Sequence, residues 1–111
     1  MTISFNGYQE EAGATAIYPD RGHNIYYVCL GLAGESGEIC EKVKKIMRDD
    51  DGEITDEKKE LLKKELGDCL WYISQIAFEI GVSMEDIAEE NIKKLSSRKE
   101  RNVLKGSGDN R

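Results

Sequence analysis

Several residue types are scarce in this chain, and each scarcity excludes a class of protein. Pro19 is the only proline, so long stretches are free to be helical. His23 is the only histidine, which excludes a di-iron bundle that needs Glu-x-x-His from two helices. No apolar run approaches the roughly 18 residues of a membrane span, and the first residues lack the basic start and apolar block of a signal peptide. We expect a cytoplasmic protein without a membrane partner.

Cysteine is also sparse. Cys29, Cys40 and Cys69 are odd in number and show no C-x-x-C spacing. Each lies among apolar residues, which favours buried free thiols in a reducing compartment over a disulfide or metal role.

Positive charge is scarce over most of the chain. The net charge is −6, but residues 91–111 hold seven basic and two acidic residues, hence +5, which leaves −11 for residues 1–90. An acidic body argues against binding nucleic acid. A basic end joined to it suits either self-association or a shared anionic ligand, and a solvated helix end explains the charge equally well.

Apolar residues recur at three- and four-residue steps, a pattern typical of amphipathic helices. We predict an all-α fold, a bundle of about four helices in one domain over residues 1–111. The predicted helices span about 4–18, Asn24 to about Arg48, Thr55 or Asp56 to Ile80, and a stretch from Ser83, followed by a polar tail at about 102–111. Asn24 and Ser83 are favourable N-caps, and Gly81 suits the residue that ends a helix.

Two pairs of acids interrupt the apolar stripes of the two long helices. Glu35 and Glu38 are three residues apart on the second helix, and Glu65 and Asp68 repeat that spacing on the third. Residues three apart lie on adjoining turns of one helix face. Four carboxylates facing a helical interior would repel one another and lose hydration. Mg²⁺, or Mn²⁺ in its place, would compensate because both prefer carboxylate oxygen.

An alternative stays open. If the stripe is rotated by one position, the acids are solvated or pair with Lys42, Lys63 or Lys64. Glycines favour the metal site: Gly31, Gly34, Gly37 and Gly67 lie around the acids. Each costs up to about 1 kcal/mol relative to Ala in a helix, and close helix approach or room for a ligand would offset that cost.

These residues carry a family resemblance. The segment "LGLAGESGEICEKVKKIMRD", followed by "KELGDCLWYISQIAFEIGVSMEDIAEENIKKLSSR", resembles the MazG-like branch of the all-α nucleoside triphosphate pyrophosphohydrolases. The signature is ExxE, a spacer of 26 residues here, then ExxD. The resemblance extends to "YQEEAGATAIYP" and to "GSGDNR", so it covers nearly the whole chain.

The resemblance implies a helical-bundle enzyme that works as a dimer or tetramer. It implies Mg²⁺-dependent hydrolysis of a (deoxy)nucleoside triphosphate to the monophosphate and pyrophosphate, in housecleaning of damaged nucleotides or in hydrolysis of ordinary ones. Glu35, Glu38, Glu65 and Asp68 would then be the metal ligands, and Glu35 or Glu38 could accept the proton of the attacking water. A non-catalytic helical nucleotide-binding or assembly module is the alternative function.

Candidate substrate-binding residues lie outside the acid pairs. Lys94 and Arg98, one turn apart on the fourth helix with Asn91 one turn earlier, suit phosphate oxygens. Lys45 and Arg48 are secondary candidates, for which interaction with a helix C-terminus is an equally good explanation.

Base recognition has the weakest sequence basis. Candidates for stacking on a base or bonding to it are Tyr8, Gln9, Trp71 and Tyr72. Aromatic residues at helical spacing usually belong to the core, and Trp71 and Tyr72 are expected on different faces of their helix. Asp109 and Arg111, in the Gly-containing tail, could close over a nucleotide, or the tail could be unstructured.

Overall fold

A computed structural model of the chain describes residues 2–111, which contain four helices and no strand. The helices are α1 (Phe5–Gly13), α2 (Ile25–Asp49), α3 (Asp56–Glu79) and α4 (Met84–Glu100). The prediction of an all-α fold is confirmed.

A side-chain oxygen caps the start of each helix. Ser4, Asn24, Thr55 and Ser83 each accept a hydrogen bond from the main-chain N–H three residues further on. Such a bond satisfies one of the N–H groups that a helix leaves free at its start. The predicted starts of α2, α3 and α4 are therefore confirmed. Gly81 has a φ of 74° directly after α3, the left-handed conformation predicted for the residue that ends this helix.

The first helix is shorter than predicted. It ends at Gly13 rather than near Tyr18. The Thr15 hydroxyl donates to the carbonyl oxygen of Ala12 at 2.7 Å, and the Thr15 N–H donates to the same oxygen at 3.0 Å. A threonine side chain that bonds to the main chain competes with the helical pattern, and this turn ends α1.

Helices α2 and α3 form the most extensive helix pair, and α1 packs on both α3 and α4. The loop of residues 50–55 joins α2 to α3. The buried apolar side chains come from all four helices and the α1–α2 loop: Ala12, Tyr18, Val28, Ile46, Cys69, Ala77 and Met84. Ser74 and Gln75 are fully buried on α3.

Glu79, at the end of α3, organises the loop between α1 and α2. Its carboxylate accepts hydrogen bonds from the Tyr18 hydroxyl at 2.9 Å and from the main-chain N–H groups of Gly22 and Asn24. The Arg21 side chain in the same loop donates to Gln75 Oε1 at 3.1 and 3.2 Å. These bonds bring Tyr18 against Trp71, with ring centroids 6.4 Å apart.

The cysteine prediction is only partly right. Cys69 is buried, but Cys29 and Cys40 are exposed, and all three are free thiols. Helix α2 packs mainly on α3, so much of its surface has no cover in the single chain. In the part of the chain described, no helix combines the length and apolarity needed to cross a membrane.

Candidate metal centre

Three carboxylates meet where α2 and α3 face each other. Glu35, Glu65 and Asp68 each offer an oxygen, and these oxygens lie within 4.8 Å of one another. Glu35 and Glu65 are half-buried and Asp68 is exposed. The i, i+3 spacing on α3 puts Glu65 and Asp68 on adjoining turns, and the packing of α2 on α3 adds Glu35. The structure thus brings together three of the four acids that the sequence pattern singled out.

Gly31 sets the approach of the two helices beside this cluster. A Cβ at Gly31 would overlap the ring of Tyr72, so a larger residue would push the ring away. The other glycines differ: at Gly34, Gly37 and Gly67 a Cβ would meet no atom of the described residues within 4 Å. Gly31 thus serves close packing, and open space lies beside the other three.

Glu38 lies apart from the cluster. Its side chain is 58% exposed, and its Oε2 is 3.9 Å from Lys42 Nζ. The same ammonium lies 3.2 Å from Glu65 Oε1. The alternative in which the acids pair with lysines therefore holds for one acid of each pair, Glu38 and Glu65. Glu35 and Asp68 have no basic partner within 4.0 Å among the described side chains.

Negative charge accumulates around Glu35. Burial raises its pKa, and a hydrogen bond with Glu65 and the charges of Asp68, Glu65 and Glu38 raise it further. A cation held among these oxygens would reverse that effect, because positive charge favours the ionised carboxylates. The donor set consists of carboxylate oxygens alone, which fits Mg²⁺ or Mn²⁺.

A cavity of about 360 Å³ opens next to the carboxylates. Its walls are Thr15, Glu35, Asp68, Trp71 and Tyr72. Trp71 Nε1 donates to Thr15 Oγ1 at 2.9 Å, and the Trp71 and Tyr72 rings meet edge to face with centroids 5.0 Å apart. The expectation that these two rings face different ways is corrected. They follow Asp68 by three and four residues, and both spacings return to its side of the helix.

Neither Tyr8 nor Gln9 lines this cavity. Tyr8 on α1 lines a separate pocket with Phe5 and Leu70, and burial and the charge of Asp68 raise its pKa. The Gln9 side chain donates to the carbonyl oxygen of Val82 at 3.1 Å and accepts from the Met84 N–H at 3.1 Å. Gln9 therefore ties α1 to the turn between α3 and α4.

Comparison with known proteins adds the family. Residues 26–103 match the MazG nucleotide pyrophosphohydrolase domain. The chain belongs to this family. It is 50% identical over 109 residues to "Gene 37 protein" of Mycobacterium phage L5, an alignment that covers 94% of this chain and 96% of that protein. Comparison with solved structures finds no match.

The MazG match contains both acid pairs and the α4 candidates, while Tyr8, Thr15 and residues 104–111 lie outside it. Asn91 and Lys94 line a second cavity of about 450 Å³ with Ile87 and Glu90. Helix α4 packs on α1, and the walls of the carboxylate cavity include no α4 residue among those described. The single MazG chain therefore does not unite these candidates with the carboxylates.

The remaining cationic candidates have nearby partners. Lys45 Nζ lies 3.6 Å from Glu41, and Arg48 pairs with its neighbour Asp49 at 2.7 Å. Arg98 is buried and donates to Asp109. The candidate roles of Lys45, Arg48 and Arg98 in substrate binding stay predictions.

Sequence reasoning missed two residues that shape the carboxylate cavity or its surroundings. Thr15 lines the cavity and accepts the Trp71 N–H, and Glu79 holds the loop that carries Tyr18. Glu79 had a visible sign, because it is the one charged residue between Cys69 and Ile80. No comparable pattern marks Thr15, which comes near Trp71 through the fold.

Proposed function

We propose that this MazG protein hydrolyses a (deoxy)nucleoside triphosphate to the monophosphate and pyrophosphate with the help of Mg²⁺. The observation that carries the proposal is the convergence of Glu35, Glu65 and Asp68 within 4.8 Å, beside a cavity walled by Trp71 and Tyr72. Family membership supports pyrophosphohydrolase chemistry. A nucleotide-pool housecleaning role in the cytoplasm is part of the proposal.

We assign metal binding, proton acceptance and nucleoside contact to different residues of the site. Glu35, Glu65 and Asp68 would hold the metal ion, and Glu38, which lies apart from them in the single chain, would join them as a fourth ligand. Bound Mg²⁺ supplies charge neutralisation of the triphosphate and a lowered pKa of the attacking water. Glu35 or Glu38 accepts the proton of that water. The Trp71 and Tyr72 rings offer apolar surface to the nucleoside part.

Hydrolysis is tested with Mg²⁺ and a panel of ordinary and damaged dNTPs and NTPs. Each reaction is scored for pyrophosphate against orthophosphate. We expect pyrophosphate and the monophosphate. Orthophosphate and a nucleoside diphosphate would show that the bond between the β- and γ-phosphates is broken instead. No cleavage with either Mg²⁺ or Mn²⁺ would refute the proposed enzymatic activity.

Glu38→Gln separates the two roles proposed for Glu38, which are metal binding and proton transfer. We expect turnover to be abolished while the fold and the oligomer persist, because the variant keeps the shape and removes the charge. Calorimetric titration with Mg²⁺ then assigns the role. Retained metal affinity assigns Glu38 to proton transfer, and lost affinity assigns it to the metal. Retained turnover would show that Glu38 has neither role. Ser36→Ala, on the same helix, is the control.

A non-catalytic nucleotide-binding module is the second candidate, and the Lys42 ion pairs favour it because they neutralise part of the cluster without metal. Thermal unfolding with and without Mg²⁺ separates the two functions. For a metal site, Mg²⁺ raises the melting temperature of the wild type and leaves Glu35→Gln unchanged. Under either function, Glu35→Gln raises the metal-free melting temperature, because the repulsion between Glu35 and the neighbouring carboxylates is removed. The rise is slight because solvent screens much of that repulsion.

We further propose that the protein assembles as a homodimer or tetramer. Large apolar side chains are exposed on the single chain, among them Leu30 at 74% and Leu66 at 57%. A second copy would cover this surface. It could also bring the α4 candidates Asn91, Lys94 and Arg98 to the carboxylates, which the single chain does not do.

A further inference from the structure

Residues 102–111, here called the strap, fold back onto α4. The Val103 N–H donates to the carbonyl oxygen of Arg98 at 2.8 Å, so the chain turns at the end of the helix. The guanidinium of Arg111 donates to three main-chain oxygens in the strap, those of Val103, Leu104 and Gly108. The strap is therefore a loop closed by its own hydrogen bonds.

The strap places one carboxylate on two cations of α4. Asp109 Oδ1 lies 3.0 Å from Lys94 Nζ and 3.1 Å from Arg98 Nη2, and Nη2 also donates to the Asp109 carbonyl oxygen at 2.6 Å. The Asp109 side chain is 81% exposed, whereas that of Arg98 is 6% exposed. The carboxylate thus approaches a buried cation from the solvent side, and it can leave without opening the helix packing.

Asp109 leaves the guanidinium of Arg98 incompletely paired. Both of its contacts use Nη2, and the buried Nε has no hydrogen-bond partner among residues 2–111. A buried donor without a partner is costly. Two oxygens of one oxyanion can accept from Nε and Nη2 side by side, which is the strong bidentate arrangement of guanidinium. A phosphoryl group would therefore satisfy Arg98 better than Asp109 does.

We propose that Lys94 and Arg98 form an anion site that Asp109 occupies in the closed strap, and that a phosphoryl group displaces Asp109 and releases the strap. This proposal rests on the proposed function only in naming a nucleoside triphosphate, or its pyrophosphate product, as the source of that group. The surrounding residues 91–111 carry +5, which attracts polyphosphates. Only molecules with an open strap bind a polyphosphate, so the apparent affinity is the affinity of the open form multiplied by the fraction of molecules that are open.

Inorganic pyrophosphate without metal is the first probe, and calorimetry measures its Kd. We expect Asp109→Asn to lower the Kd about three- to tenfold, because the strap no longer competes for the cations. Gly108 has a φ of 87°, so Gly108→Ala strains the closed strap without a change of charge and should shift the Kd in the same direction. Asn110→Ala, next to Asp109, should bind like the wild type.

Hydrogen exchange of the strap amides is the second measurement. Pyrophosphate should speed exchange in the wild type, and exchange in Asp109→Asn should be fast from the start. A Kd unchanged in both Asp109→Asn and Gly108→Ala, or strap amides that become more protected with pyrophosphate, would overturn the proposal.

Neither measurement requires turnover. A protein that cleaves no nucleotide but releases its strap on pyrophosphate would refute the proposed function and keep the anion site. A protein that cleaves nucleotides but whose strap exchange does not change with pyrophosphate would support the proposed function and refute the anion site. Repeating the exchange measurement with orthophosphate and with a non-hydrolysable triphosphate identifies which phosphoryl source opens the strap.

Discussion

Gly31 carries a steric requirement that the glycines nearest the acids do not share. A methyl group there would overlap the ring of Tyr72, whereas one at Gly34 would meet no atom within 4 Å in the described chain. Tyr72 follows Asp68 by one helical turn and lines the carboxylate cavity. The missing side chain at position 31 thus sets the distance between α2 and α3 at the point where the carboxylates meet.

Gly31→Ala should lower the free energy of unfolding by about 1–3 kcal/mol, the usual cost of forcing extra volume into a packed contact. Urea unfolding measures this change. Gly34→Ala is the matched control, because the same methyl group enters open space. Its stability should stay equal or rise by up to about 1 kcal/mol through helix propensity. Equal losses in the two variants would contradict the packing role of Gly31.

At the scale of elements, one carboxylate holds the connection between α1 and α2. Glu79 binds the Tyr18 hydroxyl and the N–H groups of Gly22 and Asn24, and Asn24 is the N-cap of α2. Burial alone would raise the pKa of Glu79, but the hydrogen bonds from Asn24, Gly22 and Tyr18 outweigh it and lower that pKa. The ionised carboxylate therefore stabilises the fold.

The lowered pKa sets the direction of a pH effect. Since Glu79 ionises more readily in the folded chain, its contribution is present above the unfolded pKa of about 4.3 and is lost as the pH falls through the lower folded value. Glu79→Gln should lower the free energy of unfolding at pH 7 by about 1–3 kcal/mol, and the difference from wild type should shrink as the pH falls below about 4.

Urea unfolding at a series of pH values provides the measurement. Glu89→Gln, which changes an exposed acid on α4, should follow the wild type throughout. A loss in Glu79→Gln that stays constant from pH 7 to pH 3 would show that the ionised form of Glu79 is not what holds the loop.

At the scale of the whole molecule, the single chain buries little of its apolar surface. The buried apolar side chains are few, while Leu30 on α2 and Leu66 on α3 stay largely exposed. A small domain with this balance gains stability by association. Cys29 and Cys40 are also exposed on α2 in the single chain.

Leu30→Glu should shift the protein from an oligomer to a monomer, because a charge buried in an interface without a partner is costly. Sedimentation velocity measures the assembly and circular dichroism checks that the helices persist. His23→Glu adds the same charge to an exposed loop residue and should stay oligomeric. A wild type that sediments as a monomer at every concentration would refute the assembly.

Much of the fold was predictable because helix boundaries depend on neighbours in the sequence. The caps Asn24, Thr55 and Ser83 bond to N–H groups three residues away, so the chain carries those signals locally. The end of α1 was mispredicted because the Thr15 hydroxyl could equally have faced solvent within a longer helix. The placement of Thr15 beside Trp71 links residues 56 positions apart, and no local pattern specifies that contact.

The sequence by itself determined helices α2, α3 and α4, their N-caps and the i, i+3 spacing of each acid pair, because these follow from bonds within a few turns. Only the tertiary structure decided which acids meet. It grouped Glu35 with Glu65 and Asp68, left Glu38 with Lys42, and set Asp109 on α4. The physical reason is that the relative position of two helices depends on contacts between distant residues, such as Gly31 against Tyr72, and helical periodicity carries no information about them.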